Sequence, residues 1–177
     1  MDKGLRKTVL SAVFFALGMV LPFFTSQIKE IGDSLLPMHI PVMLCGLICG
    51  AKHGFLVGLL LPVFRAAIFS MPPFYPNSFW MAFELSAYGL VIGILYSRLK
   101  KKSIFNLYIC LIISMISGRI VWAAAKTVLL GLSGRAFTFN AFIMGGLLDA
   151  LPGIALQLIL IPSIMGLLSS YTKKNDK

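Results

Sequence analysis

Long apolar runs separated by short polar segments make up almost the whole chain, and they predict helices that span a membrane. Six runs can be bounded by charged residues and by proline or glycine. They cover residues 8–25, 35–51, 54–71, 78–96, 104–130 and 139–168. At a rise of 1.5 Å per residue, each run is about long enough to cross a hydrocarbon core of about 30 Å, the second and third only barely. The pattern predicts an all-α integral membrane protein, with residues 1–177 forming a single six-helix bundle.

The composition excludes a water-soluble domain. The 177 residues are 58% hydrophobic and 12% charged, whereas a soluble domain carries about 25% charged residues to cover its surface. The net charge of +10 does not indicate nucleic-acid binding, because the basic residues lie at the ends of apolar runs and form no continuous stripe.

The distribution of basic residues predicts the orientation in the membrane. With a cytoplasmic N-terminus, eleven lysines and arginines lie in inner segments, and only Lys29 and Arg135 lie in outer ones. Cytoplasmic segments carry an excess of lysine and arginine, so both termini are predicted to be cytoplasmic.

Motifs for catalysis are missing from the sequence. It contains no HExxH, no GxSxG and no GxxxxGK[ST] phosphate loop, so we expect no catalytic residues and no ATP hydrolysis by this chain. His39 and His53 stand at loop-like ends of the second and third runs, and no histidine cluster accompanies the cysteines. We therefore expect neither a metal site nor a bound cofactor.

Ionisable residues inside apolar runs are the strongest candidates for function, because a charge near the bilayer centre costs about 2.5–3.5 kcal/mol on insertion scales. The alternative is an internal ion pair or a side chain that reaches back to the membrane surface. The five such residues are Arg65, Glu84, Arg119, Lys126 and Asp149.

Helical spacing places several of these candidates beside aromatic residues in the outer halves of the runs. The fourth run carries Trp80, Glu84 and Tyr88 on one face, and the fifth carries Arg119, Trp122 and Lys126 on one face. Asn77 precedes the fourth run, Asn140 opens the sixth from outside, and Asp149 lies about 14 Å below Asn140 along a continuous helix. These nine residues, with Arg65, are the candidate lining of a small-molecule pocket open to the outside.

The in-span charges also suggest the sign of a ligand. Three are positive and two are negative, and an unpaired charge in a low-dielectric site is costly, so the imbalance favours an anion. If Lys126 instead reaches the membrane surface, the count is two against two, and a neutral ligand fits as well.

Small residues recur four apart, a spacing that permits close helix packing. The pairs are Ala12/Ala16, Gly46/Gly50, Gly54/Gly58, Gly89/Gly93 and Ser114/Gly118. For each of them, packing inside the bundle is the simplest expectation.

Three stretches resemble a known family. They are LLPMHIPVMLCGLICGAKHGFLVGLLLPVF (35–64), MPPFYPNSFWMAFELSAYGLVIGILYSRL (71–99) and LPGIALQLILIP (151–162). In order along the chain, they resemble the substrate-binding membrane subunit, or S component, of energy-coupling factor (ECF) vitamin transporters. The stretches around MHIPV and MPPFYP look most like the pantothenate-type branch. Ala12 and Ala16 are similar to the family's AxxxA face.

The resemblance implies a six-helix subunit of the bacterial plasma membrane that binds a vitamin near its outer face. The outer segments 26–34, 70–78 and 131–139 would contribute to that site. It also implies that Ala12 and Ala16 dock on a shared transmembrane subunit, and that two cytoplasmic ATPases supply energy.

Other functions stay open at this point. The ligand could be pyridoxine, riboflavin, folate or a pyrimidine precursor instead of pantothenate. A stand-alone channel would need a polar path through the inner halves, which are almost wholly apolar. A small membrane-embedded enzyme would need a cytoplasmic-side acid or metal site, and only Asp2 and Asp176 supply acids there.

Overall fold

Helices lie over all of the predicted apolar runs. The computed structural model of the chain describes residues 2–25, 36–132, 134, 138, 140 and 143–175. The helices are α1 (Lys3–Thr25), α2 (His39–Cys49), α3 (Ala51–Phe69), α4 (Asn77–Arg98), α5 (Ile104–Leu132) and α6 (Leu151–Asn175), and a π-helical segment (Ile143–Leu148) precedes α6. Most of the predicted outer segments 26–34 and 131–139 fall outside the described residues.

Five helical segments are long and apolar enough to cross a membrane, within the part of the chain that the structure describes. They are Gly4–Phe24, Ala51–Phe69, Asn77–Arg98, Ile104–Leu132 and Ile143–Ser170. An all-helical, multi-pass membrane protein is therefore confirmed. The count of six spans and the cytoplasmic location of both termini stay predictions.

Helix α2 differs from the spanning helix predicted over 35–51. It has 11 residues and is thus about 16 Å long, about half the thickness of a hydrocarbon core. All of its residues except Ile48 are buried. The helix lies inside the bundle, where it packs against α1, α3 and α4.

Glycines bring α2, α3 and α4 into backbone contact. Gly50 has φ +99°, a conformation that glycine adopts without strain, and it is the single residue between α2 and α3. A Cβ atom added at Gly54 would lie 2.7 Å from both the Gly46 Cα and the Gly89 carbonyl oxygen. The small residues within these three helices therefore pack inside the bundle, as the spacing predicts, whereas Gly50 forms the junction and has no close neighbour at its Cβ position.

Helix α1 is an exception to that packing prediction. Ala12 and Ala16 are both exposed, and so are their large apolar neighbours Val9, Val13 and Leu17. The alanine face of α1 therefore points away from the bundle.

The predicted sixth helix (139–168) is interrupted. A π-helical segment covers Ile143–Leu148, and a turn at residues 149–150 separates it from α6. The Asp149 N–H donates to the Met144 carbonyl oxygen at 2.9 Å, a contact five residues apart that closes a π-helical turn.

Candidate functional site

A cavity of about 390 Å³ lies where the first residues of α2 meet α3, α4 and α5. Small-molecule sites usually occupy about 300–1,000 Å³, so the cavity is large enough for a vitamin-sized ligand. Its lining residues are Pro22, Leu36, Pro37, Met38, His39, Arg65, Met71, Pro72, Pro73, Asn77, Trp80, Met81, Glu84, Arg119, Trp122 and Gly145.

Glu84 and Arg119 form a buried ion pair in the wall of the cavity. Arg119 Nη1 lies 3.1 Å from Glu84 Oε1, and the residues are 7% and 2% exposed. The pair joins α5 to α4, as the polar faces of these helices suggested. Removing one partner of such a pair would leave an uncompensated buried charge.

His39 completes this polar cluster, although the sequence analysis placed it at a loop-like end. Its Nε2 atom lies 3.5 Å from Glu84 Oε1. Its ring packs edge-to-face on Tyr88, with ring centroids 5.0 Å apart. The residue is 1% exposed because α2 begins at this residue, inside the bundle. The sequence gives no signal for that, since a histidine at the edge of an apolar run is equally typical of a membrane surface.

Several buried nitrogen atoms of the cluster have no hydrogen-bond partner among the described residues. They are Nδ1 and Nε2 of His39 and Nε and Nη2 of Arg119. Most buried polar groups in proteins are hydrogen-bonded, because a buried group without a partner costs about 1–3 kcal/mol. The cluster therefore has unused hydrogen-bonding capacity beside a cavity.

Aromatic rings and a lysine form another part of the wall. The Lys126 ammonium lies 4.5 Å from the centroid of the Trp122 ring and 5.2 Å from that of Trp80. The Arg119 guanidinium lies 5.9 Å from the Trp122 ring. Both tryptophans line the cavity, so the Lys126 ammonium lies next to the cavity.

Arg65 lines the cavity from α3 and is 4% exposed. Its Nη1 donates to the carbonyl oxygen of Met19 in α1. Its guanidinium also lies 4.6 Å from the Phe23 ring and 5.5 Å from the Phe69 ring. Arg65 thus connects α3 to α1, which the sequence analysis did not anticipate.

The other candidates divide into two groups. Asn77 begins α4 and lines the cavity, and Tyr88 is buried beneath it against His39. Asn140 and Asp149 are exposed and do not line the cavity. The prediction that these two residues converge on the pocket is therefore corrected. The π-helical segment Ile143–Leu148 lies between them, so a position calculated from the rise of a continuous α-helix does not apply.

A second cavity of about 330 Å³, lined by apolar residues and Arg119, lies between α5 and α6. It is lined by Ile112, Met115, Ile116, Arg119, Ile120, Ile154 and Leu158. Arg119 lines both cavities, so its side chain forms part of the wall that separates them.

Comparison with models of protein families identifies the family of the chain. A model of the family "ECF transporter, substrate-specific component" matches residues 6–165, and the chain belongs to that family. Its members are substrate-binding subunits of transporters and not enzymes. Membership implies a small-molecule substrate and a shared transmembrane and ATPase module as partners. No curated protein and no solved structure matches the chain.

Proposed function

We propose that this protein is the high-affinity substrate-binding subunit of an ECF importer in the bacterial plasma membrane, and that its ligand is a small anionic vitamin, best matched by pantothenate. The observation that carries the proposal is the buried Glu84–Arg119 pair beside a vitamin-sized cavity. With both termini cytoplasmic, the cavity lies in the outer half of the membrane and receives its ligand from outside. ATP is used by the partner subunits only.

The charge around the cavity supports an anion more strongly than the sequence count did. Asp149 is exposed and lies away from the cavity, so Glu84 is the one carboxylate among the described residues of the lining. Arg65 and Arg119 also belong to that lining, and the Lys126 ammonium lies beside it. One anionic ligand would gain charge-assisted hydrogen bonds from the Nε and Nη2 atoms of Arg119, which have no partner among the described residues.

Pantothenate fits the remaining chemistry of the site. Its carboxylate would use the unpartnered nitrogens of Arg119, and its hydroxyl and amide groups would pair with Glu84, His39 and Asn77. Trp80 and Trp122 would pack its apolar part. A neutral pyridoxine-like ligand would leave these Arg119 nitrogens without an anionic partner, and a thiamine-like cation would add positive charge beside them.

The charge of the ligand can be tested by titrating the purified subunit with pantothenate, its uncharged alcohol analogue, pyridoxine and thiamine. We expect pantothenate to bind at least about thirtyfold more tightly than the alcohol, since a buried charge-assisted contact contributes about 2–5 kcal/mol. Equal affinities for the acid and the alcohol would contradict an anion site. Tighter binding of pyridoxine or thiamine would assign a different vitamin.

We also propose that the face of α1 that carries Ala12 and Ala16 docks on the transmembrane partner. Both alanines are exposed, and small residues on a lipid-facing helix permit close approach of another helix. We expect Ala12→Trp or Ala16→Trp to abolish vitamin uptake in cells and to leave the affinity of the isolated subunit within about twofold.

The matched control for docking is Ile113→Trp, which places the same indole side chain at an exposed position of α5. It should leave uptake intact. Loss of ligand affinity together with uptake in the alanine variants would show that these residues support the fold and not the docking of a partner.

A further inference from the structure

The outer end of α1 contacts a charged side chain of α3. Arg65 donates to the Met19 carbonyl oxygen, and its guanidinium lies against the rings of Phe23 and Phe69. Those two rings also contact each other edge-to-face, with centroids 4.8 Å apart. We refer to these four residues as the Arg65 cluster.

The position of the cluster matters because α1 forms part of the cavity wall. Pro22 lines the cavity, and it lies between Met19 and Phe23, the two residues that Arg65 contacts. Proline removes one backbone hydrogen bond from a helix interior and weakens the helix locally. The last turns of α1 are also largely exposed, with Phe24 74% exposed. The Arg65 cluster therefore contacts α1 on both sides of Pro22 along the chain and connects this part of the cavity wall to α3.

One N–H of the Arg65 guanidinium donates to a carbonyl oxygen, and the group lies against two aromatic rings. Both kinds of contact stabilise an arginine in a low-dielectric setting. Arg119 differs, because its Nε and Nη2 atoms have no partner among the described residues. The guanidinium groups of the two arginines at the cavity thus differ in their contacts.

From this difference we propose that Arg65 is a positioning residue, which holds the outer end of α1 as a wall of the ligand cavity and does not itself pair with the charge of the ligand. This inference rests on the proposed function for the identity of its ligand. Opening of the wall affects ligands of either charge equally, so Arg65 sets how long a ligand stays bound. Arg119 sets which charge is preferred.

The binding test compares Arg65→Gln and Phe23→Leu with Phe24→Leu. Phe23 does not line the cavity, so Phe23→Leu disturbs the cluster without changing a lining side chain. We expect both cluster variants to raise the Kd by about threefold to thirtyfold, through faster dissociation and by the same factor for pantothenate and its alcohol analogue. The variant that combines Arg65→Gln with Phe23→Leu should bind the ligand no more weakly than Arg65→Gln alone. The matched control Phe24→Leu should bind with the affinity of the unaltered protein.

A second measurement needs no ligand. Hydrogen exchange of the backbone amides in residues 19–25 of the detergent-solubilised protein should be faster in Arg65→Gln and Phe23→Leu, and unchanged in Phe24→Leu. Unchanged exchange in Arg65→Gln would overturn the inference, as would a loss of affinity in Arg65→Gln that is confined to pantothenate. If pantothenate does not bind the unaltered protein, the proposed ligand is wrong, and the exchange measurement still decides the role of Arg65.

Discussion

Arg119→Ala is expected to weaken pantothenate binding at least about thirtyfold and to lower the thermal stability of the protein. The ligand loses its charge-assisted partner, which typically costs about 2–5 kcal/mol. Glu84, 2% exposed, is left without its 3.1 Å ion-pair partner, and an uncompensated buried charge costs about 3–5 kcal/mol. Isothermal titration and thermal unfolding of the purified variant measure the two effects.

The two effects can be separated by a second substitution. Arg119→Gln combined with Glu84→Gln removes both charges, so much of the stability should return while pantothenate binding stays weak. Arg98→Ala is the control, because Arg98 is exposed at the far end of α4 and should affect neither measurement. Full recovery of affinity in the double variant would show that Arg119 acts on the ligand only through the fold.

Gly54→Ala is expected to prevent correct packing of the bundle, with a loss of stability of about 3 kcal/mol or more. The added Cβ would lie 2.7 Å from the backbone of both Gly46 and Gly89. Overpacking typically costs about 1–3 kcal/mol, and here the obstacle is the backbone of two helices, which cannot rotate away as a side chain can. A lower unfolding temperature and aggregation in size-exclusion chromatography would record the effect.

Gly166→Ala in α6 provides the matched control for this substitution. A Cβ at Gly166 meets nothing within 4 Å, and alanine favours a helix by about 1 kcal/mol over glycine. This variant should be unchanged or slightly more stable. Similar stability of the Gly54 and Gly166 variants would mean that α2, α3 and α4 do not pack through their glycines.

The sequence predicted the helices better than their ends and interruptions. An apolar run marks a segment that avoids water, and such a segment in a membrane forms a helix because its backbone groups must bond to each other. All six runs accordingly contain helical residues. They do not distinguish burial in protein from contact with lipid, so the apolar run over 35–51 did not show that α2 (His39–Cys49) is short and buried. The turn at residues 149–150 was not predicted, because an apolar stretch carries no mark of a π-helical segment.

The candidate site was predicted where it depends on helical spacing. Trp80 and Glu84 in α4, and Arg119 and Trp122 in α5, line one cavity, because regular helices preserve the faces that spacing predicts. His39 was missed because its burial depends on where α2 begins within the bundle. The contact of Arg65 with α1 was missed because it joins positions 46 residues apart, and spacing within one helix cannot predict such a contact.

The side chain of Arg119 lines both the polar cavity and the apolar cavity between α5 and α6, so a change on one side of this residue can be felt on the other. Ile116 and Ile120, which line the apolar cavity, are 57% and 62% exposed, so detergent tails would reach the same wall from the other side. Affinities measured in different detergents are therefore not interchangeable for this protein. Lipid nanodiscs of defined acyl-chain length provide the appropriate reference.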